Sequence, residues 1–218
     1  MSETIKKDYV KNFGLNPENI YVVYPACNQV YEEFPEIRKK DKVTFGIVAG
    51  SSVNKGGHLF LLALGFVKLL GFDFNINIIA PKYDKDIAMK TIVNLFGLKN
   101  RTKILSFQED MSGFYKDIDV LVLPSLNEAF GLVVPEAMSY GHFCLVSSTA
   151  GSAEIIENGK NGYVFNRSSF ADFVLSLKKI TELYKNNFEK FTELSKNAFE
   201  TSKKYSWKNF ALNIIDKF

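Results

Sequence analysis

The feature that most constrains this chain is a regular alternation running from Lys42 to Phe165. Short apolar runs, each stopped by glycine, proline or a polar cluster, take turns with segments of helical period. Residues 43–49 stop at Gly50, and residues 56–70 then carry apolar side chains at helical spacing up to Gly71. Residues 74–80 are closed by Pro81, residues 84–96 by Gly97, and residues 103–107 form the next apolar run. The rhythm continues through 112–116, 120–123, 132–140, 143–147, 153–157 and 163–165. Unbroken apolar runs mark strands buried on both faces, and strands separated by helices build βαβ units. Because such crossovers are right-handed, the expectation is an α/β fold: a doubly wound, Rossmann-like parallel sheet with helices on both faces.

The flanks differ. Residues 1–40 are polar and mixed, with helical spacing over 4–13 stopped by Gly14, a β-rich run at 20–24 and a charged connector over 28–40. They are expected to supply a connector helix and a first strand. Residues 41–167 form the sheet domain, and residues 168–218 a tail of helices packing on it. In that tail Phe170, Phe173, Val174, Leu177 and Ile180 make one apolar stripe.

Composition excludes several functions. Lys and Arg number 27 against 24 Asp and Glu, a surplus of +3 spread along the chain, so no nucleic-acid partner is expected. Two cysteines, Cys27 and Cys144, do not make a disulfide framework, and Cys144 sits in an apolar run as a small buried hydrophobe. No segment approaches the ~18 consecutive apolar residues of a membrane span. The N-terminus lacks a signal-peptide core, so the tripeptides at Asn100 and Asn166 read as chance matches to a glycosylation site. The expected compartment is the cytoplasm, with the inner face of the membrane as a second location open to the chain.

Ligands of doubly wound sheets bind at the C-terminal ends of the strands. One such loop carries the most chemistry: Pro124-Ser125-Leu126-Asn127-Glu128-Ala129-Phe130-Gly131-Leu132-Val133-Val134-Pro135-Glu136-Ala137-Met138. A strand ends at Pro124, and a helix begins near Gly131, where free N–H groups attract anions. Pro135 fits only early in that helix, where a missing N–H is tolerated. Glu128 lies in the loop and Glu136 on the helix, so the two carboxylates can face different parts of one ligand. Carboxylates accept paired hydrogen bonds from sugar hydroxyls; both glutamates also fit a plain surface role.

The pattern P-S-x-x-E-x-F-G-x-x-x-x-E-A-M resembles the signature of retaining GT-B glycosyltransferases, family four (glycosyl transferases group 1). The chain stays in step with that family through Tyr140-Gly141, Gly151-Ser152-Ala153-Glu154, Asn158-Gly159-Lys160-Asn161-Gly162 and Tyr205-Ser206-Trp207, and upstream through the Gly50 to Gly57 loop with its Lys55-Gly56. The resemblance implies the donor-binding half of a GT-B fold, taking a UDP-, GDP- or ADP-sugar without a metal or other cofactor. It implies retaining hexosyl transfer to a glycan or lipid acceptor, a lipid acceptor entailing peripheral membrane contact. Glu128 would contact the transferred sugar or favour charge at its anomeric carbon, and Glu136 would accept from the ribose. The N–H groups of Phe130, Gly131 and Leu132 would cradle the distal phosphate, Lys55 would neutralise the leaving diphosphate, and the segment around Phe107 would lie near the base.

One departure concerns the phosphate loop. The family's usual Arg after the loop glycine is Ser51 here, and the loop to Lys55 looks one residue shorter. A hydroxyl does not replace a bidentate guanidinium, so either another cation supplies the charge or diphosphate binding is weaker. The chain also has room for one Rossmann-like domain where GT-B enzymes have two. The expectation is a fragment, or a chain that works beside an N-terminal acceptor domain supplied separately. The alternatives are a non-catalytic nucleotide-sugar-binding module and a sugar-nucleotide epimerase-like protein. Asp117-Ile118-Asp119 mimics a metal motif at the wrong end of a strand, and His58 and His142 are too isolated for a metal site or a catalytic triad. His58 lies near the phosphate loop, within reach of a phosphate, although a helix-surface histidine is the commoner case. Ser125 has no base in reach.

Overall fold

The computed structural model describes residues 2–27, 31–50 and 53–216. Six strands form one sheet: β1 (Val43–Val48), β2 (Phe74–Ile79), β3 (Thr102–Leu105), β4 (Val120–Leu123), β5 (Cys144–Ser147) and β6 (Gly162–Phe165). Their order is β3-β2-β1-β4-β5-β6, and every neighbouring pair is parallel. The sheet therefore winds outward from β1 in one direction and from β4 in the other. β1 and β2 pair over six residues, whereas β1 and β4 pair only at Phe45↔Val120 and Gly46↔Leu121. That short seam is the switch point, and the crevice beyond its carboxyl end is where ligands of such sheets bind.

Helices α2 (Gly57–Leu69), α3 (Ile87–Leu95), α4 (Ser112–Asp117) and α5 (Val133–Ser139) make the crossovers. The tail contributes α6 (Phe170–Asn186), α7 (Phe188–Ser202) and α8 (Trp207–Ile215). α6 lies against α2 and α7 against α5. Right-handed crossovers place α2 and α5 on opposite faces, so the tail closes both sides of the sheet. The expected stripe is its means of attachment: Phe173, Val174, Leu177 and Ile180 are buried, and Phe173 stacks on Phe165 of β6 at 4.2 Å. The central strands β4 and β5 are buried along their whole length, as continuous apolar runs require.

Two expectations need correction. α1 (Glu3–Phe13) ends at Gly14 in the left-handed conformation, but residues 20–24 form no strand. Their β-rich composition has no ladder to join, because this segment packs on the loops after β4 and β5 rather than beside an edge strand. Tyr24 lies against Phe130 and Tyr205, and the Cys27 N–H donates to the Tyr205 carbonyl at 2.9 Å. The helix expected at 153–157 is instead a 3₁₀ turn over Gly151–Ile155. Among the described residues no helix is long and apolar enough to cross a membrane.

Candidate functional site

The loops after β1 and β4 meet across the switch point. After β1 the chain turns at Gly50 (φ 58°) and makes a 3₁₀ turn over Val53–Lys55; Ser51 lies outside the described residues. Gly56 follows with φ 74°, and a Cβ there would fall 2.4 Å from the Pro124 carbonyl oxygen. Both facts demand glycine. The Leu126 N–H donates to the Asn54 carbonyl at 2.8 Å, so main-chain atoms lace the two loops together. Across this seam the Lys55 ammonium donates to Oε2 of Glu128. The Glu128 side chain is only 15% exposed, that of Lys55 41%. These two residues, 73 apart in the chain, are thus a close ion pair.

The stretch from Glu128 to Leu132 is held by its neighbours. The Glu128 carbonyl accepts from the Gly151 N–H and the Phe130 carbonyl from the Ser152 N–H, both at 2.8 Å. The Phe130 ring is buried between Tyr24 and Tyr205, at centroid distances of 5.4 and 6.0 Å. Gly131 has φ 87°, and a Cβ there would meet Leu123 at 2.7 Å and Glu128 at 3.2 Å. Among the described residues the N–H groups of Phe130, Gly131 and Leu132 donate to no acceptor. α5 is a helix of seven residues, so these loop N–H groups, more than a helix dipole, are the local attraction for an anion. Pro135 is its third residue, where the missing N–H removes no helical bond. Gly56 also leaves the first turn of α2 without a side-chain cap, beside Lys55.

Glu136 projects from α5 into a different contact. Its Oε2 accepts from the Tyr115 hydroxyl at 2.7 Å, and burial pushes its carboxyl pKa up while that hydrogen bond opposes the rise. Tyr115 is buried on α4, and burial drives its phenol far above the usual range, so it remains a donor. One carboxylate oxygen is therefore committed and the other is available. A cavity of about 130 Å³ adjoins them, lined by Glu109, Asp110, Met111, Tyr115, Glu136 and Tyr140. Phe107, just beyond β3, is 71% exposed.

Two residues to which the sequence alone assigns no such role matter here. Nothing local marks Tyr115; it becomes visible only when α4 and α5 lie side by side. Glu154, expected only as the acidic start of a helix, has a carboxylate that accepts from the Glu3 N–H, the Thr4 N–H, the Thr4 hydroxyl and the Tyr24 hydroxyl at 2.7 to 2.9 Å. These bonds hold its pKa below the usual value against desolvation. Ser2 caps α1 and packs on Gly151, where a Cβ would lie 2.5 Å from the serine Oγ.

The weaker candidates fall elsewhere. His58 Nε2 bonds Asp86, the N-cap of α3, at 3.0 Å. Asp117 pairs with Lys103, while the buried Asp119 accepts from the Thr44 N–H and faces Lys40 at the N-terminal edge of the sheet. A larger cavity of about 410 Å³ also lies at that edge, lined by Tyr31, Ile37, Lys40, Asp119 and His142 among others. It opens where Asp119 and His142 lead into β4 and β5, at the amino end of the sheet, and although Tyr140 borders both cavities neither Lys55 nor Glu128 lines this one, so its size does not make it the candidate site.

The sequence profile of the family described as glycosyl transferases group 1 matches residues 28–201. An uncharacterized glycosyltransferase of Methanocaldococcus jannaschii is 27% identical over 239 residues, covering 100% of this chain and 58% of that protein. The chain spans about half the length of the curated relatives it matches. The C-terminal domain of a glycosyl transferase group 1 family protein from Francisella tularensis superposes with a TM-score of 0.66 at 19% identity, covering 80% of this chain and 96% of that one. An Anabaena protein solved with UDP and glucose gives 0.69 at 22% identity, covering 81% and 48%. At these identities the structural matches speak for the fold: the Rossmann-like α/β half of a GT-B protein.

Proposed function

From the premise that the chain belongs to the glycosyl transferases group 1 family, we propose that it binds a nucleotide diphosphate sugar at the β1–β4 switch point and serves the retaining transfer of the sugar to a glycan or lipid acceptor. The observation that carries the reading is the meeting of Lys55 with Glu128 beside three N–H groups that have no acceptor among the described residues. A cation and a row of N–H groups suit a diphosphate; a carboxylate beside them suits the hydroxyls of what the diphosphate carries. In this assignment the N–H groups of Phe130, Gly131 and Leu132 hold the distal phosphate. Lys55 neutralises the diphosphate as the bond to the anomeric carbon breaks, and fixed charge aimed at such developing charge is usually the largest catalytic contribution. Glu128 contacts the sugar. Glu136, with one oxygen held by Tyr115, offers the other to the ribose, and the exposed Phe107 lies towards the base.

Solved relatives with UDP and with UDP-glucose support the choice of ligand class. Transfer also requires an acceptor held against the donor, because positioning two substrates supplies much of the rate. We assign that task to an N-terminal GT-B domain, in the same protein or a separate subunit, which the relatives' greater length accommodates. Titration calorimetry with UDP, GDP, ADP and their sugars tests the donor site. Binding weakened by Glu136→Ala is expected; no binding of any nucleotide at millimolar concentration would remove the proposal.

A further inference from the structure

We infer that Lys55 and Glu128 compete with the ligand for each other, so that the site favours an intact nucleotide sugar over the free nucleoside diphosphate. The inference rests on the donor-site reading above and adds a direction to it.

The two partners differ in what they can tolerate. Lys55 stands on a flexible four-carbon stem, is 41% exposed, and can swing to another anion with modest loss. Glu128 is 15% exposed, its Cγ is fixed close to Gly131, and its backbone is pinned by Gly151. It cannot follow the lysine. A diphosphate drawn to the N–H groups of Phe130, Gly131 and Leu132 arrives beside this pair and needs the Lys55 ammonium. Once Lys55 turns to it, Glu128 keeps a poorly hydrated negative charge with no cation and a second anion next to it. Leaving such a charge unpaired is costly.

A sugar on the diphosphate changes that balance. Its hydroxyls are donors, carry no charge, and can fill the oxygen lone pairs that Lys55 vacates. A bare diphosphate brings no such donor. The ion pair therefore penalises the nucleoside diphosphate selectively and helps it leave after transfer. Glu128 acts here as a specificity-determining residue for the leaving species, in addition to any contact it makes with the sugar in transfer.

The test compares calorimetric affinities of the wild-type chain and the Glu128→Gln, Lys55→Met and doubly substituted chains for UDP, GDP and ADP and for UDP-glucose, GDP-mannose and ADP-glucose. Glu128→Gln keeps the side-chain shape against Gly131, removes the charge and turns one acceptor oxygen into an NH2 donor. For whichever nucleotide binds, it is expected to tighten the diphosphate by roughly fivefold, the equivalent of ~1 kcal/mol for a partly exposed ion pair. The same change should erase most of the preference for the nucleotide sugar. The tightening should be clearly smaller when Lys55→Met is already present, because only the repulsion between Glu128 and the diphosphate is then relieved. An equal tightening with and without Lys55→Met would overturn the inference, because the effect would then be general charge relief alone. Unchanged or weaker diphosphate binding in Glu128→Gln, with binding still sensitive to Glu136→Ala, would overturn it while leaving the donor site standing. No nucleotide bound by any variant would remove both.

Discussion

His142 provides a test of the fold's electrostatics that is independent of any ligand. It lies between Gly141 and the start of β5, is buried, and donates from Nε2–H to the Tyr115 carbonyl at 2.7 Å. Desolvation dominates its surroundings: it lowers the imidazole pKa from 6.5 to about 4, although bonds to the Tyr115 and Asp119 backbone oppose the drop. The native state therefore holds the ring neutral, whereas the unfolded chain protonates it near its ordinary value. The unfolded state then binds more protons between those two values, so stability is complete above pH 6.5 and falls as pH drops towards 4. Linkage puts the loss at about 2 kcal/mol by pH 5 and about 3 kcal/mol once both values are passed. Urea unfolding of wild type and His142→Gln at pH 7.5 and 5.0 measures it. The substitution costs a constant amount for lost packing, but the wild type should lose about 2 kcal/mol more than the variant between the two pH values. The neighbouring Asp119, whose carboxyl pKa burial raises, works in the opposite direction in both proteins and cancels in the comparison. Equal pH dependence in the two proteins would refute a neutral, buried His142.

Other consequences are equally direct. Gly56→Ala combines a left-handed backbone with a Cβ 2.4 Å from the Pro124 carbonyl, so thermal unfolding should show a loss of ~1–3 kcal/mol and weaker nucleotide binding through Lys55. Tyr115→Phe removes the bond to Glu136 and should weaken nucleotide binding by about fivefold, ~1 kcal/mol. Because that bond holds the Glu136 pKa down, losing it should also move the acidic limit of binding to higher pH, measurable by calorimetry across pH 5 to 8 at the same ~25 °C. α1 has no buried residue and hangs on Glu154, so Glu154→Ala should raise amide exchange over residues 3–13 and leave β1 and β4 protected, as mass-resolved hydrogen exchange would show.

Much of the framework was legible because it depends on local period and punctuation. The apolar runs at 43–49 and 120–123 could be read as buried strands, and glycines 14, 71, 97 and 141 as stops, because positive φ at those turns is a backbone requirement that no other residue meets cheaply. The run at 20–24 misled because β-propensity describes fitness for a pleated surface, and no strand edge is available there. The loop from Glu128 to Leu132 and the start of α5 could be placed from Pro124, Gly131 and Pro135. What that loop touches could not. The Lys55–Glu128 and Tyr115–Glu136 contacts join side chains from separate elements, and Glu154 reaches the first turn of a helix 150 residues away. Such contacts follow from how layers stack, which periodicity does not encode.

The lacing of Asn54 to Leu126 and of Gly56 to Pro124 has a consequence for how this surface can change over time. Two loops joined through main-chain atoms share one set of tolerances. A residue inserted or removed after β1 shifts the carbonyl that Leu126 needs, and with it the carboxylate two positions further on. Drift on one side is then neutral only when the other side moves to match, so the two segments should diverge as a pair, while β2, β3 and the helices between them vary on their own schedule.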